Sequence, residues 1–124
     1  MNTQAKVIRD GKVAVLISPP FGAGWSTWGE DGNSQRLWRL YAPEVVAWVE
    51  AGKPGGLDGL ERLAARRGGD AYCGGGPYLE IRWLPIGTKF RVTEYDGSEK
   101  VELADDIEWD IASADPVQAT EGDA

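Results

Sequence analysis

The run Lys12-Val13-Ala14-Val15-Leu16-Ile17 restricts this chain more than any other feature of its sequence. After Lys12 it is continuously apolar and rich in β-branched side chains, and it is closed by Ser18-Pro19-Pro20, which a helix does not easily pass through. A strand with no polar side has to be covered on both faces, so it is expected near the centre of a layered domain. The 124 residues suffice for one such domain, since a chain of this size buries about two-thirds of the surface it exposes when unfolded. We expect a single domain over residues 1–112 and a small, acidic, disordered tail over 113–124.

Downstream of the strand the pattern is first helical, then alternating. Pro43 at a first helical position, Glu44 in the first turn and Gly52 beyond the end frame a helix over Pro43–Ala51, with Val45, Trp48 and Val49 facing inward. Asp58 and Glu61 have capping-box spacing, and Gly68 can close a second helix whose inner residues are Leu60, Leu63 and Ala64. Gln35 to Tyr41 carries no decisive signal. From Tyr78 the period becomes two: Leu79, Ile81 and Trp83 alternate with Glu80 and Arg82, and Phe90 and Val92 with Lys89, Arg91 and Thr93. Asp96-Gly97 then marks a tight hairpin turn, and Ile107, Trp109 and Ile111 alternate with acids as a last strand. The order of elements predicts an α+β fold, a mainly antiparallel sheet ending in a meander with two short helices packed on one face.

Several function classes are disfavoured. The net charge of -7 repels a phosphate backbone, and the acids gather toward the C-terminus instead of lining one face as a DNA mimic requires, so no nucleic-acid partner is expected. The charged opening segment does not resemble a signal peptide, and no apolar run nears the roughly 20 residues that span a bilayer, so no membrane partner is expected either. With the lone Cys73, this predicts a cytoplasmic protein, in the host cytoplasm if phage-encoded. The absence of histidine removes the commonest general base and a favoured zinc ligand, so we expect no catalytic residue, no metal, no cofactor and no enzyme activity. Glycines flank Cys73 and leave it open to exposure, but no base is at hand to activate it.

The most unusual segment is Phe21-Gly22-Ala23-Gly24-Trp25-Ser26-Thr27-Trp28-Gly29, directly after the buried strand. Backbone N–H groups freed by Gly22 and Gly24 are able to form an anion-binding nest, although the Gly-Lys-Ser/Thr ending of a P-loop is missing. The competing reading lets the glycines turn the chain beneath two packed tryptophans. As binding residues we single out Phe21, Gly22, Gly24, Trp25, Ser26, Thr27, Trp28, Arg36 and Tyr72, with Trp25, Trp28 and Tyr72 as anchors. Arg36 and Arg39 near Trp38, with Arg66-Arg67, are the cationic candidates for an anionic ligand, set against ordinary packing and helix-end roles. Glu80, Glu94, Asp96, Glu99, Glu102, Asp105 and Asp106 are read mainly as the solvated face of a hairpin and its cross-strand partners.

Ile17 to Trp28, together with Leu79-Glu80-Ile81-Arg82-Trp83-Leu84-Pro85, Gly87 to Val92 and Glu94-Tyr95-Asp96-Gly97-Ser98-Glu99, resembles small proteins of tailed bacteriophages and prophages. The likeness spans roughly residues 12 to 103. It implies an accessory factor that binds a host protein, counteracting host defence or physiology, or one that sequesters a small phosphorylated, nucleotide-like signalling molecule. It carries over no catalytic residues. A homo-oligomer is compatible with this reading, and a small carboxylate-dependent hydrolase using the Ser26 and Thr27 hydroxyls is the alternative from another class.

Overall fold

The structure is a computed structural model and describes residues 3–28, 33–67 and 73–116. Strands β1 (Ile8–Arg9) and β2 (Lys12–Ile17) form a hairpin across Asp10-Gly11, whose φ angles of 51° and 74° match the type I′ turn that Asp-Gly favours. Strand β3 (Glu80–Pro85) pairs antiparallel with the whole of β2, from Lys12↔Pro85 to Ile17↔Glu80, so β2 is the middle strand of a sheet ordered β1-β2-β3. Ala14, Val15, Leu16 and Ile17 are all buried. Ala14 and Leu16 join a core with Trp25, Trp38, Val45, Val46, Trp48 and Leu60. Val15 and Ile17 point the other way, toward Leu40, Tyr41, Phe90, Val92 and Val101. Each fully buried aliphatic side chain here contributes about 1.5–3 kcal/mol.

Helix α1 (Asn33–Tyr41) is the segment that sequence signals left undecided, and it supplies residues to both cores: Trp38 to one, Leu40 and Tyr41 to the other. Ala42, with φ -49° and ψ 118°, breaks it, and Pro43 restarts the chain as α2 (Pro43–Glu50). In α2 the buried residues are Val45, Val46 and Trp48, with Val49 only half-buried. Helix α3 begins at Gly56 and runs to Arg67 (Gly56–Arg67), so Asp58 is not its cap but a charge in the first turn, where the helix dipole favours an acid. Its buried residues are Leu60 and Ala64, and Gly68, the expected stop, lies outside the described residues.

The expected meander is corrected. Strands β4 (Phe90–Tyr95) and β5 (Ser98–Leu103) pair only with each other, across Asp96-Gly97 at φ 50° and 84°, and no ladder joins β3 to β4. A two-faced strand explains this: β2 takes β3 as its ladder neighbour, while the β4–β5 hairpin covers the face that β2 would otherwise leave open. The expected last strand is corrected too. After a 3₁₀ turn at Ala104–Asp106, residues 107–116 form no ladder, and Trp109 and Ile111 are exposed. The whole is an α+β fold with antiparallel sheets of three and two strands.

Candidate functional site

The Gly-rich loop lies between the end of β2 and the β4–β5 turn, and a single side chain organises it. Glu99, on β5, is 2% exposed. One carboxylate oxygen accepts a hydrogen bond from the Ser18 N–H at 2.9 Å. The other accepts from the N–H groups of Trp25 and Thr27, both at 2.9 Å, and from the Thr27 hydroxyl at 2.6 Å. Backbone bonds add to this closure: the Glu99 N–H donates to the Ser18 carbonyl at 3.0 Å and the Gly22 N–H to the Asp96 carbonyl at 2.6 Å. The Ser98 hydroxyl donates to the Pro19 carbonyl at 2.5 Å. The anion nest foreseen in the loop therefore has an internal occupant, the chain's own carboxylate.

Sequence reasoning placed Glu99 on the solvated face of the hairpin, and this is corrected. Alternation along β5 puts Glu99 on the same side as Val101 and Leu103, in an inward apolar row. An acid in such a row has to find fixed donors, because burying an unpaired carboxylate is prohibitively unfavourable. That was the available signal. The same geometry bears on the hydrolase reading: the lone pairs of Glu99 are engaged by backbone donors and the Thr27 hydroxyl points at it, which reads as a staple for the loop.

The two loop tryptophans separate. Trp25 has no exposed surface; its indole N–H donates to the Arg39 carbonyl at 2.7 Å, and the buried Arg39 guanidinium lies 4.7 Å from its ring centroid. As a contact anchor Trp25 is corrected to a core residue. Trp28 is 37% exposed and lies across Gly24 and Gly97, where any Cβ would run into its ring. Its N–H reaches Glu94 at 3.4 Å, and the same Glu94 oxygen accepts from the Gly97 N–H at 2.8 Å. Phe21 and Tyr95, 70% and 78% exposed, meet edge to face with centroids 6.2 Å apart. Tyr95 was not among the expected binding residues, although its place beside the Asp-Gly turn put it at a hairpin tip.

The mostly buried Ser26, Thr27 and the exposed Arg36 line a cleft of about 380 Å³ with Leu40, Tyr41 and Phe90. Tyr72 lies outside the described residues. Arg67 donates to the carbonyl and hydroxyl of Ser34, both at 3.0 Å. Cys73 is buried, against the expectation from its flanking glycines, and burial pushes its thiol up despite the opposing influence of Arg39, which disfavours a thiolate nucleophile. Among the described residues no group of His, Cys, Asp and Glu side chains is arranged to hold a metal ion, and no helix is long and apolar enough to cross a membrane.

No family model, curated protein or solved structure matches this chain.

Proposed function

We propose that the chain is a non-enzymatic binding protein that grips a partner protein through the aromatic edge formed by Phe21, Trp28 and Tyr95. In the phage or prophage setting that the sequence resembles, the partner is a host protein. The observation that carries this reading is the exposed Phe21–Tyr95 pair on a loop and hairpin held together by a buried carboxylate. Rings of this kind supply large contact area with little side-chain entropy to lose, and a frame ordered before binding lowers the cost of association. The alternative, capture of a nucleotide-like anion by the loop, is weakened because the Ser18, Trp25 and Thr27 N–H groups are already bonded to Glu99.

Photo-crosslinking tests the proposal. With p-benzoylphenylalanine in place of Phe21, irradiation in host cells should yield a discrete adduct with a second protein species, and Tyr95→Ser should abolish it. The same probe in place of Leu57, an exposed apolar residue of α3, should give no such adduct. Absence of an adduct from position 21, or an equal one from position 57, would overturn the reading.

A further inference from the structure

Two incomplete halves of a β interaction remain on the surface. The first is Ile107-Glu108-Trp109-Asp110-Ile111, whose apolar residues alternate with acids as in a half-buried strand. Among the described residues it has no ladder partner, its backbone is extended at Ile107 (φ -90°, ψ 123°), and Trp109 and Ile111 are 71% and 83% exposed. The second is the outer edge of β3, which among the described residues is bonded to β2 alone.

The register fixes what that edge offers. Ile86 N–H donates to the Gly11 carbonyl at 2.9 Å, on the β2 side, so by alternation Ile81, Trp83 and Pro85 direct their backbone groups outward. Proline on that row removes no bond from the existing ladder and ends the edge that an added strand can pair along, so an antiparallel strand with Trp109 opposite Trp83 and Ile111 opposite Ile81 pairs residues 108–111 with 81–84. The side chains are complementary as well. On the helix-facing side of β3, Ile81 and Trp83 pack against the core, and an added row of Ile107, Trp109 and Ile111 continues that apolar stripe. On the opposite side stands Arg82, its side chain 43% exposed and 3.6 Å from the more exposed Glu80. In that pairing Asp110 would stand opposite Arg82 and Glu108 diagonal to it, and no Lys or Arg follows Lys100 in the chain.

We infer that residues 107–111 of one copy add as a strand to the open edge of β3 in a second copy, giving a reciprocal, two-fold homodimer. The second copy is favoured over the chain's own edge because the Ala104–Asp106 turn, closed by Ile107 N–H to the Ala104 carbonyl at 3.3 Å, carries Trp109 and Ile111 into solvent, unpaired with the β3 of the same chain. This inference stands apart from the aromatic edge, whose residues it does not use.

Sedimentation velocity of the full chain over a dilution series should show a species of twice the 13.4 kDa chain mass. Trp109→Ser with Ile111→Ser should shift it to monomer while leaving the thermal midpoint measured on that monomer cooperative. Arg82→Glu should do the same, and adding Glu108→Lys with Asp110→Lys to Arg82→Glu should restore the dimer, a rescue that only charge pairing across the interface produces. A wild-type chain that is monomeric at every concentration, or a dimer untouched by the Trp109 and Ile111 changes, overturns the inference.

Discussion

Glu99 ties the loop to β5 through one side chain, because four donors from Ser18, Trp25 and Thr27 converge on its carboxylate. Glu99→Gln keeps the shape but offers one acceptor oxygen and turns an N–H₂ toward groups that are themselves donors. A buried polar group left without its partners is far costlier than a lost surface bond, so Glu99→Gln should destabilise the fold by about 3 kcal/mol. Urea unfolding reads this as a lower midpoint at unchanged slope. The residue was legible only in part. The alternation that sets Arg91 opposite Glu102 on one face of the hairpin also turns Glu99 inward, but the acidic character of the whole segment hid the acid that points the other way. Trp25 and Trp28 were not separable in the sequence, since which ring enters the core depends on where the loop meets Arg39 and Gly97, contacts distant along the chain.

At the scale of elements, the two Asp-Gly hairpin turns share a backbone geometry but differ in surroundings, which makes them a matched pair. Gly11 (φ 74°) has nothing near a prospective Cβ, whereas at Gly97 (φ 84°) that atom would sit 2.7 Å from the Trp28 ring and 2.8 Å from the Ala23 nitrogen. Gly11→Ala should therefore cost only the backbone strain, about 1 kcal/mol. Gly97→Ala adds overpacking to that strain and should exceed about 2 kcal/mol, with the difference visible in parallel thermal or urea melts. Strand β2, helix α2 and the β4–β5 hairpin could be read from local pattern because apolar runs, Pro43 and Asp-Gly are local signals. The pairing of β3 with β2 was not, because a ladder between segments more than sixty residues apart leaves no trace in the spacing of either. Helix α1 was obscured by its mixture of Arg39 and large rings, both of which the fold buries together.

For the whole molecule, stability should fall with acid in a defined window. Hydrogen bonds from Arg9 to Glu50 and from Arg91 to Glu102 hold both carboxyls below their usual 4.5. A depressed folded-state pKa contributes stability above the unfolded value, and that contribution is lost as pH falls through the folded value, here from about 4.5 downward. Glu50 is exposed and Glu102 partly exposed, so the loss should be small and should shrink further in high salt, as chemical melts at several pH and salt values can check. The molecule as a whole is thus a two-core sandwich in which β2 is enclosed, with a carboxylate closing the loop that carries the aromatic edge. The element order made the α+β class accessible from the sequence, while the surface that the loop presents became definable only once Glu99 was located.

Residue-resolved amide hydrogen exchange on the wild type and Glu99→Gln tests most directly whether the loop is closed by its own carboxylate. In the wild type the Ser18, Trp25 and Thr27 amides should be protected to nearly the same degree as the β2–β3 ladder, and in Glu99→Gln these three should exchange at least about a hundredfold faster while the ladder stays protected, since each tenfold corresponds to about 1.4 kcal/mol. Free exchange of those amides in the wild type, or unchanged protection in the variant, would contradict the account.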